Sequence, residues 1–213
     1  MKIGVIQASS QKEKNAVLHD VLAQVLHDDT HEIINFGIYE HDLIQLSYIQ
    51  IACCIALLLE SGSVDFIVTG CSSGQGMMLA CNSLPGVLCG YVKDSTDAYL
   101  FGRINNGNAI SYPLGSHWGW AAEVNLKDTM KALFDEPFGI GYPKEQAERK
   151  MLNTKQLHHM NQLGKRSFIE LLPLLDKDII LPVLHYQPVY DYIKKYGHND
   201  RLTMAMTALY NAV

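Results

Sequence analysis

Apolar positions along the chain fall into two alternating rhythms. Lys2–Ile6 is a short β-branched run, followed by polar residues 7–12. Over 13–27, Ala16, Val17, Leu22, Ala23 and Leu26 recur at roughly helical spacing, which predicts a helix. The alternation continues with predicted strands at Glu32–Phe36, Asp65–Thr69, Val87–Val92 and Asn108–Tyr112. Between them the pattern predicts helices at Ser47–Glu60, Gly76–Ser83 and Asp94–Phe101, with a last one at Trp118–Phe134. Their stops are chemical: Ser-Gly-Ser after Glu60, Leu84-Pro85-Gly86, Gly102, and Pro137. Strands separated by helices imply a parallel sheet covered on both faces. The expected fold is therefore α/β, a three-layer αβα sandwich with a five-stranded parallel, Rossmann-like sheet, over residues 1–142. Such sheets bind ligands beyond the carboxyl ends of their strands, which directs attention to residues 7–12, 70–76, 91–95 and 112–118.

The pattern changes after about residue 142. Lys144–Gln162 is polar and helical, and Ser167–Leu175, Pro188–Lys195 and Leu202–Ala212 read as shorter helices. Residues 143–213 are expected to be a C-terminal helical extension that packs on the same chain or on a partner. The closely spaced Tyr186, Tyr190, Tyr192 and Tyr196 suit such a packing face.

Composition narrows the class. Hydrophobic residues at 48% and charged residues at 18% can fill a core, which excludes a disordered chain. A net charge of −5 argues against a nucleic-acid binder, which needs a basic face. Phe66–Val92 carries no charge, but its glycines, Pro85, Gln75 and Asn82 break it up, so no membrane span is expected. The five cysteines at 53, 54, 71, 81 and 89 form no CxxC pair, and the opening Met-Lys-Ile-Gly-Val-Ile does not read as a signal peptide, so none is expected. A reduced, cytoplasmic protein is expected. Nine histidines show no metal-ligand spacing, so no metal site is expected.

The most informative segment is Val68-Thr69-Gly70-Cys71-Ser72-Ser73-Gly74-Gln75-Gly76-Met77. A strand ends, small residues turn the chain, and a helix begins. Helix starts present unpaired N–H groups and the positive end of a dipole, so this is an anion cradle. It is neither a Walker A loop nor a GxGxxG fingerprint. Cys71 stands at its mouth, where a helix N-terminus favours a thiolate able to act as base or nucleophile. Neighbouring N–H groups and the Ser73 hydroxyl can hold a developing oxyanion. Cys53, Cys54, Cys81 and Cys89 lie within apolar patterns and read as core residues.

Val64-Asp65 through Gly76, and on through Ala80-Cys81-Asn82-Ser83-Leu84-Pro85-Gly86-Val87, resembles the family of type B ribose-5-phosphate isomerases and galactose-6-phosphate isomerase subunits. The family carries Cys-Gly-Thr-Gly-x-Gly followed by Ala-Asn-Lys. Weaker echoes are Tyr48, where the family has a substrate-pocket tyrosine, and Arg103-Ile104-Asn105-Asn106-Gly107-Asn108, which is similar to its Arg-x-His-Asn-Asp-x-Asn stretch. The resemblance covers residues 1 to about 155 and leaves the tail without a counterpart.

The resemblance implies an aldose–ketose isomerase acting on a sugar or sugar phosphate, pentose or hexose, through an enediolate. It makes Cys71 the base that moves a proton between carbons 1 and 2, and Ser73 the replacement of the motif's threonine. It implies no organic cofactor. It implies substrate contacts from Ser9, Tyr48, Ser72, Gly74, Gln75, Gly76, Arg103, Asn105 and Arg149, with Lys144 or Lys150 as alternatives to Arg149. It also implies a homodimer or higher homo-oligomer whose sites borrow residues from the neighbouring chain. Two positions depart from the pattern. Ala8-Ser9 stand where the family has Asp-His, and Ile104 or Asn105 stands where it has its ring-opening histidine. Asparagine cannot exchange a proton near neutral pH. Ring opening must then use another group, or the substrate enters as an open chain.

Two rival readings follow from the residues. A thiol hydrolase using Cys71 as nucleophile needs an activating histidine, for which His117 is the candidate. A non-catalytic protein binding a sugar phosphate or nucleotide needs only the cradle. Trp118, Trp120, Tyr112 and Phe101 can form an aromatic floor for a sugar ring, or simply pack in the core.

Overall fold

The computed structural model describes residues 1–27 and 30–212. Strands β1 (Lys2–Val5), β2 (Glu32–Asn35), β3 (Phe66–Cys71), β4 (Cys89–Tyr91) and β5 (Ala109–Pro113) form one sheet. Their order is β2-β1-β3-β5-β4, and every pairing is parallel. The crossovers are α1 (Asn15–Val25), α2 (Tyr48–Glu60), α3 (Gln75–Ser83) and α4 (Ser95–Leu100), and α5 (Ala122–Phe134) follows β5. The sandwich expected from the alternating pattern is thus the one observed. β3 is buried at every position, as an apolar central strand covered on both faces must be.

On one face of the sheet, Ile3, Val5, Val68 and Ile110 pack with Leu18 and Leu22 of α1 and with Leu126 and Met130 of α5. On the other face, Ile67 and Ala109 pack under α2 and α3. Every residue of α2 from Ile51 to Leu58 is buried. A helix without a polar face needs cover on both sides. The sheet covers one side and the C-terminal extension covers the other.

That extension comprises α6 (Ala147–Leu163), α7 (Phe168–Leu171), α8 (Lys177–Leu184), α9 (Gln187–Tyr196) and α10 (Asp200–Asn211). Phe168, Leu172, Val183, Leu184, Val189, Ile193, Leu202 and Met206 share one core with α2. The Tyr186 hydroxyl donates to Phe36 O at 2.6 Å, tying the extension to the chain just beyond β2. Tyr190 stacks on Tyr210 within the extension, with centroids 4.6 Å apart. Tyr186 and Tyr190 therefore pack within this chain, while Tyr196 is exposed.

Several boundaries differ from the sequence pattern, each for a local reason. β3 runs on through Gly70 and Cys71 because both still find partners: Gly70 O accepts from Ala8 N–H (3.0 Å) and Cys71 O from Leu114 N–H (2.9 Å). β4 shrinks to Cys89–Tyr91 because it is an edge strand, paired only with β5. The helix expected from residue 13 begins at Asn15, after a 3-10 segment over Ser9–Lys14. The helix expected at 94–101 stops at Leu100 and passes into a π-helical turn, Phe101–Asn105. The helix expected from Trp118 begins only at Ala122, because Ala121 adopts φ +60°. Helix α8 was not expected, since Pro182 lies inside it. Proline cannot donate to the carbonyl four residues back. That carbonyl, Asp178 O, accepts instead from Gln50 Nε2 at 2.9 Å, so the missing bond becomes a link to α2.

Candidate active site

The strand order reverses direction between β1 and β3: β2 lies beyond one, β5 and β4 beyond the other. At the carboxyl ends of β1 and β3 the crossovers diverge and leave a cavity of about 420 Å³. Cys71 stands at its base, with Ser72, Ser73 and Gly76 along one wall. Ala8 and Ser10 form the wall beyond β1, and Leu46, Ser47 and Tyr48 form the rim.

Cys71 is the last residue of β3, in register with Pro113 of β5. It points to the same face of the sheet as Ile67 and is only 9% exposed. The turn from strand to helix depends on Gly74, which has φ +75°. A Cβ there would stand 2.8 Å from the Tyr91 ring and 3.1 Å from Pro113 N. Gly74 O is held by the Ser111 hydroxyl at 2.6 Å and by Met78 N–H at 3.1 Å. The first intrahelical bond of α3 therefore comes from Met78. The Gln75 N–H is directed to Ser73 Oγ at 3.3 Å, and those of Gly76 and Met77 precede any acceptor in the helix.

The walls are fastened from outside. Ser72 Oγ accepts from Gln11 Nε2 (2.8 Å), and Ser72 O accepts from Gly115 N–H (2.9 Å) and Ser116 N–H (2.8 Å). Ser9 Oγ accepts from Leu46 N–H at 2.7 Å, clamping the rim to the segment after β1. Ser47 caps α2 in a reciprocal capping box with Gln50, which puts Tyr48 in the first turn. The Tyr48 ring then lies 3.6 Å from the place where a Gly76 Cβ would be.

Of the residues singled out from sequence, the structure brings together Cys71, Ser72, Ser73, Gly76 and Tyr48. Gly74 shapes the turn, and Gln75 is exposed at the helix start. Ser9 sits behind the wall as a clamp. Arg103, Asn105 and Arg149 are not brought to this cavity. Arg103 is fully buried, donates from Nη2 to Leu133 O (2.7 Å), and lies between the Tyr99 and Phe138 rings. Asn105 lines a separate cleft of about 460 Å³ at the β4 edge, beside Tyr91, Phe101 and Leu157. Arg149 is exposed on α6 and donates to Gln146; Lys144 and Lys150 lie outside the cavity as well.

Of the two readings of the aromatic residues, the floor is not formed, since Tyr112, Trp118, Trp120 and Phe101 do not line this cavity. Tyr112 is buried in the opposite core, where its hydroxyl accepts from Asn125 at 2.8 Å. Trp118 lies under Lys14, Trp120 is fully exposed, and Phe101 lines the other cleft. His117 is exposed, 3.1 Å from the Ser116 hydroxyl, and is not among the residues lining the cavity. The sequence reading missed Ser10, Leu46 and Ser47. Ser47-x-x-Gln50 before an apolar run was a legible capping box, whereas nothing local signalled that residues 46–48 fold back over residues 8–10.

Burial encloses all five cysteines, and none is in a disulfide. It pushes the Cys53 thiol up to about 12, with Cys81 adding to the effect, and raises Cys54 in the same way. The Cys89 thiol is raised by its contact with Cys81 and by burial. Among the described residues no three His, Cys, Asp or Glu side chains converge on a metal-sized site, and no helix is long and apolar enough to cross a membrane.

A doubly wound sheet with a cysteine and a glycine-bounded helix start at its switch point defines an α/β enzyme acting on a small molecule. The chain belongs to the ribose/galactose isomerase family, whose sequence model matches residues 8–150. It is a sugar aldose–ketose isomerase, an intramolecular oxidoreductase. It is similar to a solved 4-deoxy-L-threo-5-hexosulose-uronate ketol-isomerase complexed with a tartrate, at 36% identity and a TM-score of 0.94, over 99% of this chain and 100% of that one. It is also similar to a ribose-5-phosphate isomerase from Vibrio parahaemolyticus, at 32% identity and a TM-score of 0.93, over 98% and 99%. The type B ribose 5-phosphate isomerase of Trypanosoma cruzi shares the fold at 17% identity and a TM-score of 0.62, over 76% of this chain and 98% of that one. The extension, left without a counterpart in the sequence reading, is thus covered by the first two structures.

Proposed function

We propose that Cys71 is the carbon base of this isomerase and that the substrate is an open-chain keto-uronate of six carbons. The observation that carries the reading is the make-up of the cavity: among the described residues lining it there is no imidazole. The wall beyond β1 offers Ala8 and Ser10 instead. An aldose phosphate that rests as a closed ring needs a group to exchange a proton with its ring oxygen. A 4-deoxy-5-hexosulose-uronate needs none. It has no oxygen on carbon 4 and a carbonyl on carbon 5, so no hydroxyl stands where a five- or six-membered ring would close on carbon 1. The resemblance to a ketol-isomerase named for that substrate supports the same choice.

The chemistry is a proton transfer. The Cys71 thiolate takes the proton from carbon 2, the C1=C2 bond forms, and charge moves onto oxygen 1. The N–H groups opening α3 and the Ser73 hydroxyl hold that oxyanion. A proton moves from oxygen 2 to oxygen 1, and the thiol returns its proton to carbon 1. Nothing is oxidised overall, and no cofactor is required. Ser10, Ser47, Ser72 and Tyr48 supply hydroxyls for the substrate's own.

The enzyme works as a homodimer with shared sites in this reading. Asn105 and Arg149, given substrate contacts by the family resemblance, lie outside their own cavity and are available to a neighbour. Its place is the cytoplasm, which suits five free cysteines.

The test is a panel of ribose 5-phosphate, galactose 6-phosphate and 4-deoxy-5-hexosulose-uronate in deuterated water. The uronate is expected to turn over with the highest kcat/KM and to gain deuterium at carbon 1. Cys71→Ser is expected to lower kcat by at least ~10³-fold, as loss of a catalytic base does. Preference for a ring-closed phosphate would sink the substrate class, and an active Cys71→Ser would sink the base.

A further inference from the structure

The extension reaches the active-site helix from the end opposite Cys71. Helix α3 is nine residues long, about 13 Å, and a rod of that length moves as a unit. Its N-terminal turn borders the cavity. At its other end Lys165 Nζ donates to Asn82 O at 2.7 Å and to Leu84 O at 2.8 Å. These are carbonyls at the negative end of the helix, where a cation complements the dipole.

Lys165 is carried there by α6, which is itself fastened along its length. Thr154 donates to Ile104 O, His158 Nε2 bonds Asn106 O at 3.0 Å, and Asn161 Nδ2 donates to Val87 O at 3.4 Å. The Asn82 side chain fixes the same end of α3 sideways, exchanging two hydrogen bonds with the backbone of Cys89 at 2.7 and 2.9 Å. Burial holds the Lys165 ammonium below the ordinary lysine range. A lysine kept partly out of water for two carbonyls is spent on geometry.

We infer that Lys165 is a positioning residue for the isomerase site: by gripping the C-terminal end of α3 it sets where the N-terminal turn stands beside Cys71. The inference rests on the proposed role of Cys71, and it gives the C-terminal extension a part in catalysis beyond covering α2. A small displacement of preorganised donors lowers kcat far more than it alters substrate affinity.

The experiment compares wild type with Lys165→Met, Lys165→Gln, Lys165→Arg and, as a control for charge alone, Lys155→Met at an exposed position of α6. Two rates are read below the melting midpoint of every variant: isomerisation of the uronate, and alkylation of Cys71 by iodoacetamide followed by peptide mass spectrometry. Lys165→Met and Lys165→Gln are expected to lose about tenfold in kcat, with KM within about twofold. Cys71 alkylation is expected to slow about threefold or more in the same variants, because a helix start activates a thiol only when correctly placed. Lys165→Arg and Lys155→Met are expected to match wild type. Unchanged alkylation in Lys165→Met and Lys165→Gln would overturn the inference, as would an arginine variant as impaired as the methionine one. If wild type turns over no sugar, the proposed function fails, and the alkylation rates alone decide the role of Lys165.

Discussion

A single glycine shows how closely backbone and chemistry are joined at this site. Gly74 turns the chain from β3 into α3 with φ +75°, and its carbonyl is pinned by Ser111 and Met78. Alanine at that φ costs about 1–2 kcal/mol before any clash, and here its Cβ would press on the Tyr91 ring at 2.8 Å. Gly76 is different: the nearest neighbour of its added Cβ would be the Tyr48 ring, at 3.6 Å, an ordinary contact. Gly74→Ala is therefore expected to lower the melting midpoint by several degrees, at roughly 2–4 °C per kcal/mol, and to lower kcat. Gly76→Ala is expected to keep the midpoint and raise KM, because it fills cavity rather than straining backbone. Calorimetry with steady-state kinetics separates the two, and equal midpoints would refute the strain argument. At this scale the sequence was most legible. Cys71, Ser72, Ser73 and Gly76 were recognisable from their order alone, because a strand-turn-helix junction is local. Arg103 was misleading for the opposite reason: besides the nearby Tyr99, its surroundings of Leu133, Glu136 and Phe138 come from distant positions.

Among the elements, α2 is the most constrained. Its continuous apolar run needs two covering layers, and one of them is the extension. Removing residues 143–213 would strip one of those layers and expose a whole apolar face of α2. At about 25 cal/mol per Å² of apolar surface, that is a loss of many kcal/mol against a typical total stability of about 5–15 kcal/mol. A chain ending at residue 142 is expected to be insoluble or molten, read by near-UV circular dichroism and size exclusion. A folded, soluble fragment would show that the sheet domain stands alone. The periodicity of α2 was plain in sequence, and its lack of a polar side implied a second cover. What would supply that cover was not legible, since α8 is disguised by Pro182, whose missing N–H is answered only by Gln50 across the interface.

Over the whole molecule, the question is how residues far from Cys71 serve it. Asn105 and Arg149 stand outside the cavity of their own chain, and sharing across a dimer is the reading proposed for them. Mixing inactive Cys71→Ser protein with an inactive Asn105→Ala, Arg149→Ala double variant is then expected to restore part of the activity. The two lesions fall in one site of a mixed dimer and leave the other intact. Light scattering must report a dimer for the same preparation. A monomer, or no recovery after subunit exchange is verified, would rule out shared sites.

The chain's own order of residues determined the alternation of strands and helices, the parallel sheet that follows from it, and the cysteine at a glycine-bounded helix start. All of these arise from neighbours within a few residues and from the chirality of short connections. Tertiary structure alone decided which serines face Cys71, that Arg103 is buried away from it, and that a lysine some ninety residues later grips the far end of its helix. Those outcomes depend on how the crossovers stack and on which carbonyls are left without partners. No pattern along one strand of sequence records that before the layers meet.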